Sequence, residues 1–422
     1  MPSIKKPRGT SDILPPDSVS WRNIEEICRQ KAVLSGYDEI RFPTFESTEL
    51  FSRGVGSSTD IVQKEMYTFS DKDGRSLTLR PEGTACVCRS VVENGLYAGA
   101  LPLKLFYIAN FFRYEKPQAG RSREFSQFGC ELFGTSLPES DAELILLADS
   151  VISGIGLGNY SLHINSIGCK TCRADYKREL VEYFSAHKSL LCPVCVGRLG
   201  SNPLRILDCK NESCAEVAKS APVITDFLCG ECLSDYTKLK ALLKETGVKY
   251  KEDPKCVRGL DYYNGVVFEF VHHGIGAQSA LGGGGRYDGL LGELGGPETP
   301  GIGFALGVSR LLLAAESERV DLAGKSTVPS VYIAHIGEKA GLAAMSIRES
   351  LKAAGAVCES DLMGRSVKAQ LKYADKRLFD FAAVIGEEEI AKQSLEVKNL
   401  RSGETFSVSL DAGEILKIVN KS

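Results

Sequence analysis

Residues 103–134 read L-K-L-F-Y-I-A-N-F-F-R-Y-E, then K-P-Q-A-G-R-S, then R-E-F-S-Q-F-G-C-E-L-F-G. Two runs rich in aromatic residues flank a turn-forming loop, which predicts an antiparallel hairpin with a long connection. On the return strand, alternation puts Arg123, Phe125, Gln127, Gly129 and Glu131 on one face. Ser126, Phe128, Cys130 and Leu132 share the other face and read as core. The first set is unusual: a ring, an amide, a gap and a carboxylate, spread over roughly 20 Å at ~3.3 Å per residue. The gap at Gly129 lets something approach the backbone. Such a face is a solvated strand surface or a pocket wall, the latter taking a flat ring at one end and a small cation-bearing molecule at the other. In the loop Arg113, Glu115, Lys116, Arg121 and Arg123 cluster. Guanidinium forks suit phosphate or carboxylate, and a merely charged loop is the alternative.

Upstream, residues 18–35 carry Trp21, Ile24, Ile27, Val33 and Leu34 at helical spacing, predicting a helix that ends at Gly36. A strand-like segment follows at 39–43, whose Pro43 belongs at a sheet edge or at a contact with another chain. S-L-T-L-R-P-E-G-T, 76–84, gives a strand and its turn before a helical stretch, and 139–155 reads as a further helix. Downstream, R-G-L-D-Y-Y-N-G-V-V-F-E-F, 258–270, reads as a strand after a Gly. If it is regular from 262, Tyr262 packs with Val266, Phe268 and Phe270, and Tyr263 faces a pocket with Gly265, Val267 and Glu269. The glycine run at 282–285 lacks the Lys-Ser/Thr of a P-loop. Its plain reading is close strand–helix packing around Arg286, Tyr287 and Asp288. G-I-G-F-A-L-G-V-S-R-L-L, 301–312, passes from strand to helix.

At 422 residues the chain has room for two or three domains. A net charge of −3 leaves any nucleic-acid contact to local patches. No apolar run approaches the ~18 residues of a membrane span. The N-terminal M-P-S-I-K-K-P-R has no hydrophobic signal region, so the cytoplasm is the expected location. Of fourteen cysteines, eight fall between 169 and 232, where thiols or metal ligands are favoured over disulfides. C-P-V-C at 192 and C-G-E-C at 229 have zinc-knuckle spacing, with Cys209 and Cys214 between them. Reduced thiols are the preferred reading, and zinc at Cys192, Cys195, Cys229 and Cys232 stays open. The composition of about 168–245 suggests an inserted module.

K-S-T-V-P at 325–329 reads as a linker. Beyond it V-Y-I-A-H-I, V-C-E-S-D-L, F-A-A-V-I-G, S-L-E-V-K-N-L and T-F-S-V-S-L are strands, the first three separated by helical stretches, which argues for a separate α/β domain. There Arg365, Lys368, Lys372 and Lys376 form one basic stripe if helical, with Val367, Leu371, Ala374 and Leu378 packing on another side. A solvated helix face is the alternative, since this domain is close to neutral.

F-F-R-Y-E, a loop, then R-E-F-S-Q-F-G-C-E resembles motif 2 of the class II aminoacyl-tRNA synthetases. Y-D-E-I-R-F-P resembles their motif 1, and G-I-G-F-A-L-G-V-S-R-L-L their motif 3. T-L-R-P-E-G-T, R-G-L-D-Y-Y, G-G-G-R-Y-D-G-L and the opening P-R-G-T-S-D-I-L-P are similar to signatures of the histidyl-tRNA synthetase family. The resemblance runs almost end to end. It implies an α+β fold: a class II antiparallel catalytic sheet flanked by helices over 1–325, with the inserted module, and an α/β anticodon-binding domain over 329–422. It also implies a homodimer that forms histidyl-adenylate from L-histidine and ATP, with Mg2+ accompanying the nucleotide, and then charges the 3′ end of tRNA(His).

By the same resemblance Glu82, Gly83 and Thr84, with Gln127, fall at the α-ammonium group. Tyr262 and Tyr263 both fall at the histidine site, the second of them at the imidazole, and Tyr287 falls near that pocket. The imidazole needs an acceptor for one ring N–H and a partner for the other nitrogen, and Glu131 can accept while a tyrosine hydroxyl can do either. Arg113 and Arg258 are the implied catalytic cations at the α-phosphate and carboxylate, where two anions must meet. Arg121 falls at the outer phosphates of ATP, Glu115 is among the ATP-binding residues, and Phe125 with Arg310 would sandwich adenine. The stripe in the tail would meet tRNA. A regulatory paralogue that assists ATP phosphoribosyltransferase characteristically lacks the tail domain and has degraded signatures. This chain keeps Arg113, Arg258 and the tail.

Overall fold

The computed structural model describes residues 3–420 apart from 57–58, 119, 208, 210, 277–278 and 325–327. The expected linker at 325–329 therefore lies mostly outside the described residues. The chain divides into two compact units, Met1–Ala323 and Gly324–Ser422.

The hairpin is the centre of the first unit. Leu103–Phe112 and Glu124–Phe133 pair antiparallel with Tyr107 opposite Gly129 and Phe111 opposite Phe125. They belong to an eight-stranded sheet ordered 38–39, 103–112, 124–133, 301–307, 280–286, 264–272, 160–166, 250–252. Every pairing is antiparallel except at the two edges, where Asp38–Glu39 and Tyr250–Glu252 run parallel to their neighbours. The strand expected at 39–43 is thus only Asp38–Glu39, although the Ile40 amide still donates to the Phe106 carbonyl. A second small sheet pairs Phe45–Ser47, Ser76–Leu79 and Tyr67–Ser70.

Alternation along the hairpin separates two cores. On one side Phe128, Cys130 and Leu132 meet the helices Asp17–Leu34, Pro138–Gly154, Gly230–Glu245 and Val308–Ser317. The first of these helices buries Ile24, Cys28 and Ala32, an i, i+4, i+8 stripe. Val33 and Leu34, expected in that face, are exposed because they fall off the stripe at its last turn. On the other side Leu105, Tyr107 and Phe111 pack with Tyr262, Tyr263, Tyr287 and the helix Thr84–Glu93. The cysteine-rich segment has a small core of its own, around Tyr176, Leu180, Phe184, Ile206 and Ile224.

The second unit is a five-stranded sheet. Val357–Ser360, Ser330–His335 and Phe381–Ile385 are parallel, and Ser394–Asn399 and Thr405–Ser409 add antiparallel strands. No helix among the described residues is long and apolar enough to cross a membrane.

Candidate active site

A cavity of about 250 Å³ opens on the pocket face of the sheet. It gathers segments far apart in sequence: the 82–84 turn, the hairpin and its loop, the 258–263 loop, the glycine strand and the start of the helix Val308–Ser317. Arg113, Glu115, Arg121, Phe125 and Arg310 line it, as do Glu82, Gly83, Thr84, Gln127, Arg258, Tyr262 and Tyr263.

At one part of this lining cations dominate. Arg113 lies 5.3 Å from the Phe125 ring centroid while its Nε donates to the Pro81 carbonyl at 2.9 Å. Arg121 pairs with Glu115 at 2.8 Å. Arg310 donates to the carbonyls of Gly120 and Ala280 at 3.3 and 2.5 Å, so backbone contacts hold its guanidinium against the loop. Burial, with Arg121 nearby, lowers its pKa. Arg258 pairs with Glu269 at 2.6 Å and keeps a buried Nε without a partner among the described residues. Burial opposes its charge, but Glu269 and Tyr263 outweigh that and hold it protonated.

At another part carboxylates meet hydroxyls. Glu82 caps the helix Thr84–Glu93: its oxygens accept from the amides of Thr84 and Ala85, both at 2.8 Å, and from the Tyr262 hydroxyl at 3.3 Å. Burial nevertheless raises its pKa. A bound cation there would relieve that cost. Glu131 and Tyr287 lie behind the wall. The Glu131 carboxyl accepts from Thr84 Oγ1 at 2.7 Å and from the Tyr287 hydroxyl at 2.5 Å. A Cβ at Gly303 would collide with that carboxyl, so the strand Gly301–Gly307 is cut away to admit it. Burial of Tyr107, Tyr262 and Tyr287 pushes their pKa values well up, so their hydroxyls stay protonated donors.

The two tyrosines correct the regular-strand reading. The strand begins at Asn264, and Gly265 has a φ of +56°. Arg286 pairs with Asn264 but Gly285 with Val267, a bulge that breaks the alternation. Both tyrosines precede the strand, Tyr262 in a turn, and both rings reach the cavity, with centroids 4.6 Å apart. The gap at Gly129 is also filled from within. Cβ atoms at Gly83 and Gly129 would strike the ring of Tyr107, which lines the cavity and which sequence reasoning missed. Its register position opposite Gly129 was the available signal: an aromatic ring leaning over a cross-strand glycine. The glycine run is likewise a central strand, Ala280–Arg286, and its glycines permit close approach to neighbouring strands instead of to a helix.

Burial pushes Glu131 up to about 8, against the hydroxyls of Tyr287 and Thr84. An acid whose folded pKa is raised gives its full stability below its ordinary value and loses it as pH rises through the folded one. Between pH 5 and 9, wild type should therefore lose on the order of a few kcal/mol relative to Glu131→Gln. Urea midpoints of both proteins across that window check this, and parallel curves would show a carboxyl that does not titrate there.

A profile of the family described as Histidyl-tRNA synthetase matches residues 9–172 and 204–311. The chain belongs to the histidyl-tRNA synthetase family. A profile described as Anticodon binding domain matches residues 330–421. The chain is 50% identical over 405 residues to a histidine–tRNA ligase of Desulforamulus reducens, covering 96% of each. It is 48% identical over 407 residues to that of Caldanaerobacter subterraneus subsp. tengcongensis, covering 96% of this chain and 97% of the relative. Among solved structures, apo S. aureus histidyl-tRNA synthetase superposes with a TM-score of 0.83 at 38% identity, over 99% of this chain and 100% of that one. The antiparallel class II sheet with a C-terminal α/β domain is thus the fold that family membership carries.

In the second unit, the stripe is only partly as expected. The helix is Val367–Lys376, and Arg365 lies before it, paired with Asp361 at 2.6 Å and lying 4.4 Å from the Tyr373 ring centroid. Lys368, Lys372 and Lys376 are exposed along it. Leu378 is exposed past the helix end at a φ of +58°, and buried Gln370 takes the inner face instead, bridging the His335 backbone.

Proposed function

We infer that this chain activates L-histidine with ATP and transfers it to tRNA(His). The observation that carries this reading is one cavity with two chemistries. Arg113, Arg121, Arg258 and Arg310 supply cations, and Glu82, Thr84 and the two tyrosines supply acceptors and donors for a small amino acid.

In-line attack of a carboxylate on the α-phosphate of ATP forms a carbon–oxygen–phosphorus linkage and expels pyrophosphate. The reaction needs no covalent enzyme intermediate, only alignment and charge compensation. Arg113 and Arg258 are assigned to the α-phosphate and the histidine carboxylate. Arg121, held by Glu115, is assigned to the outer phosphates, and Phe125 with Arg310 to adenine. Glu82, with Gly83, Thr84 and Gln127, is assigned to the α-ammonium group. The imidazole is assigned to Tyr263 and Glu131, supported by Tyr262 and Tyr287. There a ring N–H would replace one of the hydroxyls already donating to Glu131. Such a site rejects apolar side chains because its own polar groups would be left unpaired.

Glu115 and Glu269 are the lining carboxylates that fit a hard cation. Mg2+ carried in by the nucleotide would meet them, and it supplies further neutralisation of phosphate charge. The homodimer and the cytoplasmic location belong to this reading as family properties, with exposed Phe45, beyond Pro43, available to a second subunit.

ATP–pyrophosphate exchange with each proteinogenic amino acid, without tRNA, tests the activation step. Exchange driven by histidine alone is expected. Another amino acid in its place would remove Tyr263 and Glu131 from the imidazole. No exchange from folded protein would favour the regulatory paralogue.

The tail unit is assigned to the tRNA anticodon region, with Lys368, Lys372 and Lys376 on phosphates and Arg365 positioned by Asp361. Changing the three lysines to Gln should flatten the slope of log affinity against log salt by about 2, at roughly 0.7–0.9 per phosphate contact. Pyrophosphate exchange should be unchanged. An unaltered slope in a filter-binding titration would return the stripe to plain solvent exposure.

A further inference from the structure

Outside the cavity, eight cysteines fall into two groups that their order in the chain does not suggest. Cys169, Cys172, Cys229 and Cys232 form one group, and Cys192, Cys195, Cys209 and Cys214 form the other. Within each group the four sulfur atoms lie within 4.8 Å of one another. The two C-x-x-C motifs read first, at 192 and 229, thus do not share a site.

Distance separates the three things such thiols can do. Cys169 and Cys172 Sγ are 3.6 Å apart, and Cys192 and Cys209 Sγ are 4.0 Å apart. A disulfide needs about 2.05 Å. A tetrahedron with metal–sulfur bonds of about 2.3 Å has edges of about 3.8 Å. Both pairs sit at that edge length, and a four-iron cluster would hold its ligand sulfurs wider apart than either group allows.

The backbone is arranged around the sulfurs as well. Cys169, Cys192 and Cys229 each stand immediately before a helix, Lys170–Ala186, Pro193–Ser201 and Gly230–Glu245. Each second cysteine of the three C-x-x-C pairs is in the first turn, so both sulfurs of a pair face the same way near the positive helix end. The amide of Cys229 donates to Cys172 Sγ, and that of Cys192 to Cys214 Sγ, both at 3.1 Å. Amide donors of this kind orient and stabilise metal-bound thiolates.

We propose that the chain holds two structural zinc ions, each on four cysteine sulfurs. Zinc suits closed four-sulfur sites without a free position, and each thiol loses its proton on binding. The sites are nested. One ties the first turn of the helix Lys170–Ala186 to that of Gly230–Glu245, and the other lies inside the loop thus closed. There Cys195 and Cys214 are themselves members of the small core. A segment this short, with a small core of its own, gains most from such staples. The cysteine-rich segment also contacts the 258–263 loop that lines the cavity. Arg173, next to Cys172, donates to the Tyr263 carbonyl at 2.6 Å, and Arg205 donates to the Gly259 carbonyl.

The test is metal analysis of the full-length protein purified with reductant and without chelator. Two equivalents of zinc per chain are expected, falling to one in Cys192→Ser/Cys195→Ser and to one in Cys229→Ser/Cys232→Ser. Cobalt exchanged into the wild-type protein should show the intense visible bands of tetrahedral sulfur ligation, a readout that needs no variant to fold. Eight freely titrating thiols with no metal, masses showing disulfides, iron in place of zinc, or fewer than two equivalents would each overturn the proposal.

Discussion

Arg258→Ala should lower histidine-dependent pyrophosphate exchange by about 10³-fold or more, the scale on which preorganised charge acts at a reacting centre. The residue lines the cavity, is held by Glu269 at 2.6 Å and has a buried Nε with no hydrogen-bond partner among the described residues. Truncation has two consequences, since it removes a cation and frees the Glu269 carboxylate to repel phosphate. The double variant Arg258→Ala/Glu269→Ala separates them. If the arginine acts on the reacting groups, the double variant stays as slow as the single one. Recovery of most activity would show that the loss came from the orphaned carboxylate. Arg258→Lys keeps the charge but not the fork and should fall between, roughly 10- to 100-fold down. Steady-state exchange at saturating ATP, with thermal melts to confirm folding, reads all three.

Arg286→Ala should cost about 3–5 kcal/mol of stability, as expected when one partner of a buried ion pair is removed. Arg286 closes the glycine strand and is 5% exposed. Its guanidinium bonds to buried Asp141, to Ser140 Oγ at 3.0 Å and to the Thr135 carbonyl at 3.0 Å, so it joins the sheet to the first turns of the helix Pro138–Gly154. Burial already pushes Asp141 up to about 7 despite the arginine. Without it Asp141 rises further, and an acid with a raised folded pKa loses its contribution as pH climbs through that value. The deficit should thus be larger at pH 8 than at pH 5 in urea unfolding. Arg286→Met/Asp141→Leu should regain much of the loss by removing both charges. A deficit of less than about 1 kcal/mol at both pH values would place the pair among weak surface-like contacts.

Much of the hairpin that lines the cavity was legible because it is local. Alternation on the return strand separated Phe128, Cys130 and Leu132 from Phe125 and Gln127, since every peptide in a regular strand reverses the side-chain direction. The same rule failed at Tyr262 and Tyr263 because both precede the strand, which begins at Asn264, and the bulge against Arg286 then breaks the count to Val267 and beyond. The basic stripe lost Arg365 for a related reason: spacing cannot tell where a helix begins, and Ser366 precedes it.

What the sequence determined by itself was which residues can form strands and helices, and which faces are apolar. It also supplied the C-x-x-C pairs, whose two sulfurs are set side by side by one helical turn. What only the tertiary structure decided was partnership across long separations. Tyr107 fills the space left by Gly83 and Gly129, Gly303 makes room for Glu131, and Arg286 finds Asp141. Cys172 joins Cys229 while Cys195 joins Cys214. These choices depend on where the sheet and helices come to rest against one another, and no local spacing encodes that.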